Sequence, residues 1–174
     1  MRLFTGIEPS AAVIENLAPV LRETRGEPAT NLHITTKFIG SWPEERLAEL
    51  KDAIGKIPLP KAFPVRITGL SIFGRVLSAD LQTGPELAAL ARSLDRALAP
   101  LGIAPESRPF SAHLTLARPR HENIGTLRHM IRKMGNIDFG AFEAAEFHLY
   151  QSQPGPQGSV YTKLATWRLD RRSE

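Results

Sequence analysis

The sequence is built from two similar units, each centred on a His-x-Thr motif. The first motif lies in NLHITTKFIG at residues 31–40 and the second in SAHLTLAR at residues 111–118, so the histidines at positions 33 and 113 are 80 residues apart. The order strand, helix, motif strand, helix, strand is predicted over about residues 2–70 and again over 76–150. The repetition predicts two lobes whose motif strands face each other across a cleft.

Each motif directs an imidazole and a hydroxyl to the same side of a strand. His33 and Thr35 are two residues apart, as are His113 and Thr115, and side chains two apart on a strand lie on one face. Two imidazoles with pKa values near about 6.5 suit one donor and one acceptor of protons near neutral pH. A threonine hydroxyl beside each can donate a hydrogen bond to an anionic oxygen. This inventory fits a phosphate diester bound between the motifs.

The opposite face of each motif strand is predicted to pack on the core, through apolar side chains at Leu32, Ile34, Phe38, Leu114 and Leu116. Lys37 has the parity of His33, so it would either face the cleft or extend into solvent at the strand end. These expectations assume an uninterrupted alternation along each strand.

The remaining elements follow from hydrophobic periodicity and from Gly, Pro and capping residues. Helices are predicted over about 10–25, 43–57 with a Ser41 cap, 85–101 and 122–134, and further strands over 2–7, 63–70, 76–81, 139–151 and 160–169. We expect a loop at 26–30 and a frayed end at 171–174.

Composition narrows the class of protein. The 174 residues, 42% of them hydrophobic, suit one folded domain, and the net charge of +4 favours an anionic partner such as nucleic acid or a nucleotide. The first residues lack the apolar region of a signal peptide, and no stretch approaches the ~18 apolar residues that span a bilayer. There is no cysteine, which excludes disulfides and thiolate metal sites. We expect a monomer in the cytoplasm with no contact to membranes.

With these motifs the sequence resembles the 2H phosphoesterase superfamily, whose mark is two His-x-Thr motifs, and within it the RNA 2′,3′-cyclic phosphodiesterases once described as 2′-5′ RNA ligases. The shared stretches are RLFTGIE, NLHITTKFIG, GLSIFG, PFSAHLTLAR, and LYQS followed by Gly158 and Tyr161. The resemblance implies a single domain over residues 1–174 with a bilobal, pseudo-two-fold α+β fold. Two antiparallel sheets would surround a central cleft, with helices on the outside.

The same resemblance implies a reaction and roles for named residues. A 2′,3′-cyclic phosphate would be opened to a 2′-phosphate without a metal ion or cofactor, with His33 as proton donor and His113 as proton acceptor. Thr35, Thr115 and Arg118 would bind the phosphate. Because Arg118 has the parity opposite to His113, it needs a bulge or a strand end to turn inward. The spacing of the motifs is symmetric and does not by itself assign acid and base.

The sequence departs from the family pattern at two positions. Thr36 stands where leucine is usual, and Ala112 where a proline often precedes the second histidine. Both are predicted to lie opposite the catalytic face, so we expect them to alter packing and leave the chemistry unchanged.

Three other interpretations of the motifs remain open. The reverse reaction, ligation of RNA ends through a 2′-5′ bond, needs the same groups; alternatively, the chain is a non-catalytic module that binds RNA ends or nucleotides. A zinc site on the motif histidines would need further ligands, yet neither motif contains an acidic residue.

Outside the motifs, Phe4 and Tyr161 are candidates for stacking on a base or for the core. The other histidines, His121, His129 and His148, have no partner pattern and are predicted to be surface or structural residues.

Overall fold

A computed structural model describes residues 1–24, 27–28, 31–135, 137–156 and 158–170. The elements are β1 (Arg2–Ile7), α1 (Ala11–Glu23), β2 (Glu27–Pro28), β3 (Ile34–Ser41), α2 (Leu47–Gly55), β4 (Phe63–Phe73), β5 (Val76–Thr83), α3 (Glu86–Leu98), β6 (Leu114–Arg118), α4 (Ile124–Met134), β7 (Ala141–Ala144), β8 (Glu146–Gly155) and β9 (Gly158–Arg168). Short 3₁₀ segments precede α2 (Glu44–Arg46) and α4 (His121–Asn123) and follow α3 (Ala99–Leu101). β2 lies within the loop predicted at 26–30. The other residues of that loop, and the frayed end predicted at 171–174, lie outside the described ranges.

In the described part of the chain, the strands form two antiparallel sheets. Sheet A has the order β3-β1-β8-β9, and sheet B has the order β2-β6-β5-β4-β7. The first motif strand, β3, forms an edge of sheet A, and the second, β6, lies beside β5 in sheet B. The predicted α+β class with two antiparallel sheets is confirmed.

Each sheet contains strands from both halves of the sequence. β4, from the first half, pairs with β5 and β7 in sheet B, whereas β8, from the second half, pairs with β1 in sheet A. The single strand predicted over 139–151 is therefore wrong. The chain leaves sheet B at Ala144 and enters sheet A at Glu146. Since one regular strand cannot pair in two separate sheets, the region forms two strands. Ala145 between them accepts a hydrogen bond from the backbone N–H of Leu169.

The helices bury apolar stripes at the expected spacing. The buried side chains of α3 are Leu87, Leu90, Ala91, Leu94 and Leu98, which recur every three or four residues and form one face of a helix. This helix packs on β3, and α2 packs on α3. The Ser10 hydroxyl caps α1 by accepting the N–H of Val13. The expected Ser41 cap of α2 is wrong, because Ser41 ends β3 and the next residue, Trp42, donates its backbone N–H to the carbonyl of Met1.

One hydrophobic core joins the two sheets. Its fully buried residues include Leu3 and Ile34 from sheet A and Ile67 and Leu114 from sheet B. Because the sheets share this core, β3 and β6 come into contact although they belong to different sheets. No helix within the described ranges is long and apolar enough to cross a membrane.

Candidate active site

The two motifs have the alternating burial that the sequence predicts near each histidine. His33 and His113 each stand immediately before the first residue of a strand, β3 and β6 respectively. His33, Thr35 and Thr115 are partly exposed and His113 is exposed. The residues between and beside them are buried, namely Leu32, Ile34, Leu114 and Leu116. Each motif therefore presents one imidazole and one hydroxyl away from the core.

Both imidazoles are held in the same way by the backbone two residues earlier. Nδ1 of His33 lies 3.0 Å from the carbonyl oxygen of Asn31, and Nδ1 of His113 lies 3.1 Å from that of Ser111. A carbonyl oxygen only accepts hydrogen bonds, so Nδ1 must carry the proton in both rings. Nε2 is then the nitrogen that gains or loses a proton, and it is the same atom in both histidines.

The two histidines are close enough to affect each other electrostatically. Burial lowers the pKa of His33, the hydrogen bond to the Asn31 carbonyl partly offsets this, and the neighbouring His113 lowers the pKa further. Two cationic imidazoles repel each other, so the pair favours states with at most one positive charge. This is the arrangement expected of one proton donor and one proton acceptor sharing a site.

An aromatic cluster surrounds the imidazole of His33. The ring of Phe4 lies 4.6 Å away between centroids, Tyr161 meets the imidazole edge-on at 5.0 Å, and Tyr150 lies at 6.1 Å. Phe4 and Tyr150 are almost fully buried, and burial raises the pKa of Tyr150, so its hydroxyl stays protonated. The sequence pointed to Phe4 and Tyr161 but not to Tyr150, whose only signal was its place in the shared stretch LYQS.

A β-bulge interrupts the first motif strand directly after Thr35. Gly6 of β1 pairs with Thr35 and Thr5 pairs with Lys37, so Thr36 is an extra residue on β3. In such a bulge two consecutive residues oppose one partner, and the alternation beyond it is reversed. Thr5, Thr36 and Lys37 are accordingly all buried, and the hydroxyls of Thr5 and Thr36 hydrogen-bond at 2.7 Å.

Because of the bulge, two predictions made from the alternation of side chains along the strand are wrong. Phe38, predicted to be in the core, is 54% exposed and pairs with Phe4, its ring centroid 6.1 Å from that of Phe4. Lys37, predicted to face the cleft or solvent, is 3% exposed. Its Nζ lies 2.7 Å from Asp95 on α3 and 2.8 Å from the carbonyl oxygen of Ala104. Lys37 thus joins β3 to the helix behind it and lies on the side opposite the histidine.

The second motif strand has the same bulge at the equivalent place. Leu77 of β5 pairs with Ala117, and Ser78 pairs with Thr115. Leu116 is therefore the extra residue on β6. Arg118 then falls on the face of Thr115 and is exposed. The bulge that Arg118 needs in order to turn inward is therefore present, and Arg118 occupies the position in β6 that Phe38 occupies in β3.

The other three histidines lie outside the two motifs. His148 is buried, with Nδ1 2.8 Å from the Thr166 hydroxyl and Nε2 3.5 Å from Glu146. Burial is the main cause that lowers its pKa. His121 and His129 are exposed. Within the described ranges, no group of three or more His, Asp or Glu side chains is arranged to hold a metal ion.

A pocket of about 400 Å³ opens beside His33, lined by Glu8, Asn31, Leu32, His33, Tyr150, Tyr161, Thr162 and Lys163. Glu8 and Lys163 form an ion pair at its wall, with each side chain 44% exposed. A larger cavity of about 620 Å³ lies between β4 and the end of α4, but neither motif histidine lines it. We therefore associate the smaller pocket with the site, because proximity to the reactive groups matters more than size.

Comparison with known proteins agrees with the family resemblance seen in the sequence. The family model described as LigT like Phosphoesterase matches residues 7–81 and 79–161. An RNA 2′,3′-cyclic phosphodiesterase from Archaeoglobus fulgidus is 31% identical, with 94% of this chain and 98% of the relative covered. Another from Methanocaldococcus jannaschii is 30% identical over 96% of this chain and 100% of the relative.

Solved structures of the same kind share the fold. The crystal structure of Escherichia coli LigT in apo form has a TM-score of 0.79 and 26% identity, and 98% of each chain is covered. The structure of E. coli LigT complexed with 3′-AMP has a TM-score of 0.79 and 27% identity over 97% of each chain. The likeness thus extends over both sheets and both motif strands.

Proposed function

Because this chain belongs to the LigT-like phosphoesterase family, we propose that it hydrolyses the 2′,3′-cyclic phosphate of an RNA end or a nucleotide to the 2′-phosphomonoester by acid-base catalysis with His33 and His113. The family membership makes it a phosphoesterase. The naming of its relatives as RNA 2′,3′-cyclic phosphodiesterases supports the substrate. The complex of E. coli LigT with 3′-AMP supports binding of a nucleotide.

The observation that carries the proposal is the matched presentation of the two imidazoles. Each donates Nδ1–H to the carbonyl oxygen two residues earlier, at 3.0 Å for His33 and 3.1 Å for His113. Each Nε2 is thereby left for proton exchange, and the neighbouring His113 lowers the pKa of His33. A module that only bound phosphate could use Lys or Arg and would have no need for two such rings.

In the proposed mechanism, water attacks phosphorus in line with the departing 3′-oxygen. Nε2 of His113 takes a proton from the water as its oxygen forms the new bond to phosphorus. Nε2 of His33 gives a proton to the 3′-oxygen as that bond breaks, leaving the phosphate on the 2′-oxygen. One imidazole must begin charged and the other neutral, and they end with these states exchanged. Proton exchange with solvent restores the starting forms.

Hydrogen-bond donors would stabilise the charge that develops on the non-bridging oxygens. Thr35 and Thr115 lie on the same faces as the histidines, and their hydroxyls can donate to these oxygens. Arg118, turned to the face of Thr115 by the bulge, would supply a positive charge and two parallel donors. None of these groups requires a metal ion, and we propose that the reaction proceeds without one.

Burial of His33 also fits the role of proton donor. Its lowered pKa makes the imidazolium a stronger acid toward the leaving oxygen. A bound phosphate, being anionic, raises the pKa of a neighbouring imidazole and so favours the protonated form once substrate is present. The assignment of His33 as donor and His113 as acceptor itself comes from the family resemblance.

Several finer points belong to the same proposal. Ligation of RNA ends through a 2′-5′ bond would use the same groups, with the 5′-hydroxyl of a second RNA end losing its proton to His113 and attacking phosphorus in place of water as the 3′-oxygen leaves. The domain is proposed to be a single unit of two intertwined lobes, with repeats over about 2–70 and 76–150. Action as a monomer in the cytoplasm stays a prediction, which size-exclusion chromatography and cell fractionation would test.

Phosphorus NMR of the product tests the proposal directly. A 2′,3′-cyclic nucleotide incubated with the protein should give the 2′-phosphate, at the same rate with and without a metal chelator. A 3′-phosphate product would refute the orientation in which the 3′-oxygen leaves. Loss of activity with chelator and its return with zinc would favour the metal-site alternative.

A further inference from the structure

The pocket beside His33 has a fixed position relative to the reaction centre. It is lined by Asn31 and His33 at the start of the first motif strand and by Tyr150, Tyr161 and Lys163 from β8 and β9. Asn31 and His33 lie at the end of β1 nearest Ile7, which pairs with Ile34. Tyr150 and Lys163 are level with Phe4 in the middle of sheet A, and Tyr161 pairs with Ser152, the partner of Arg2 at the other end of β1. The pocket therefore extends from the His33 imidazole across sheet A towards β9.

The lining combines aromatic rings with groups that hydrogen-bond at their edges. Tyr161 meets both His33 and Phe4 edge-on, at 5.0 and 5.2 Å between ring centroids, so neighbouring rings hold it in place. Asn31 carries a side-chain amide with both donors and an acceptor, and the Glu8–Lys163 pair adds an acceptor and a donor at the rim. Flat aromatic ligands with polar edges suit such a surface, and nucleobases have this chemistry.

The volume of the pocket and the direction of the reaction agree with this ligand. Its volume of about 400 Å³ falls within the range of about 300–1,000 Å³ typical of small-molecule sites. If His33 protonates the departing 3′-oxygen, the ribose must lie on the His33 side of the phosphorus. The base attached to that ribose then has this pocket as its neighbour.

We infer that the pocket binds the base of the nucleoside that carries the cyclic phosphate, with Tyr161 as the aromatic surface on which the base stacks. This inference rests on the proposed function, because the proposed role of His33 sets the direction of the substrate. Tyr161 becomes a specificity-determining residue that favours nucleotides over cyclic phosphates lacking a base.

The test compares two kinds of substrate in assays of the same protein. One is 2′,3′-cyclic AMP or UMP, and the other is methyl ribofuranoside 2′,3′-cyclic phosphate, which keeps the ribose and the reactive ring but has no base. The wild type should hydrolyse the nucleotides with the higher kcat/KM. The variant Tyr161→Leu should reduce this preference by about 5- to 150-fold, the range of base–aromatic stacking, whereas Tyr161→Phe should retain it.

Two controls separate the binding of the base from effects on folding or on His33. Val160→Ala changes the neighbouring residue, which is 48% exposed and lies on the opposite face of β9, and it should leave the preference unchanged. The rate with the base-free substrate reports whether Tyr161→Leu remains folded and catalytically intact.

Three results would overturn the inference in distinguishable ways. An equal loss of kcat/KM on both kinds of substrate in Tyr161→Leu would mean that Tyr161 acts through His33 and not on the base. A wild type that does not prefer nucleotides to the base-free substrate would mean that the pocket is not used. Failure to hydrolyse any of the substrates would instead refute the proposed function, and this inference with it.

Discussion

Removing Asp95 from its buried contact with Lys37 should destabilise the fold strongly. The Lys37 side chain is 2% exposed and its Nζ lies 2.7 Å from the Asp95 carboxylate, which is 22% exposed. At this distance and an effective dielectric constant of about 20, the attraction is about 6 kcal/mol before desolvation is subtracted. Breaking a buried pair by deleting one partner costs about 3–5 kcal/mol, because the other charge stays buried.

Replacing Asp95 and replacing Lys37 should lower the free energy of unfolding by different amounts. Asp95→Ala leaves the Lys37 ammonium buried with the Ala104 carbonyl and a weaker contact to Glu106. We expect the free energy of unfolding to fall by about 3–4 kcal/mol. This net loss already includes a gain of about 0.5 kcal/mol from the higher helix propensity of alanine. Lys37→Met should cost only about 1–3 kcal/mol, since Asp95 is partly exposed and still accepts the backbone N–H of Glu106.

Equilibrium unfolding in urea measures these differences, with Glu106→Gln as the matched control. Glu106 is 57% exposed and lies 3.4 Å from Nζ, so its loss should change the free energy of unfolding by less than about 0.5 kcal/mol. The double variant Lys37→Met with Asp95→Ala should lose at least about 1 kcal/mol less than the sum of the single losses. The reasoning is refuted if Asp95→Ala unfolds like the wild type, or if Lys37→Met keeps full stability but loses activity.

Three further predictions concern the site and its supporting strand. His33→Ala and His113→Ala should each lower turnover by about 10²- to 10⁴-fold in steady-state assays, and the double variant should lose less than the product because both rings act in one transition state; near-wild-type rates in either folded variant would exclude the mechanism. NMR titration should place the pKa of His33 below its usual 6.5 and raise it when His113→Asn removes the neighbouring charge, and the kcat/KM profile should be bell-shaped with two macroscopic pKa values that belong to the pair; an unchanged or lower pKa in the variant would contradict the coupling. Thr36→Val should lower the free energy of unfolding by about 1–2 kcal/mol, because it leaves the buried Thr5 hydroxyl unpaired. Adding Thr5→Val should recover part of that loss. Additive losses in the double variant would show that the two hydroxyls do not interact.

The pairing at the site was predictable because it depends on local pattern. Alternation over three residues puts His33 with Thr35 and His113 with Thr115, and the repeated order of elements implied that the motifs meet. The apolar spacing in α3 likewise predicted its buried face, because helical periodicity needs no information from distant residues.

The parts that could not be predicted depend on partners far away in the sequence. The bulges after Thr35 and Thr115 arise from pairing with β1 and β5, and no residue within either motif signals an extra residue. They bury Lys37, expose Phe38 and turn Arg118 to the face of Thr115. The same limit explains why the strand predicted over 139–151 proved to be two.

By itself, then, the sequence determined the helices, most of the strands, the family and the positions of the two His-x-Thr motifs, since periodicity and motif spacing are properties of short stretches. Only the tertiary structure decided which side chains surround His33, because its aromatic neighbours come from β1, β8 and β9. Register between strands is chosen by the packing of whole sheets on a shared core, and a shift of one residue exchanges the face of every side chain beyond it.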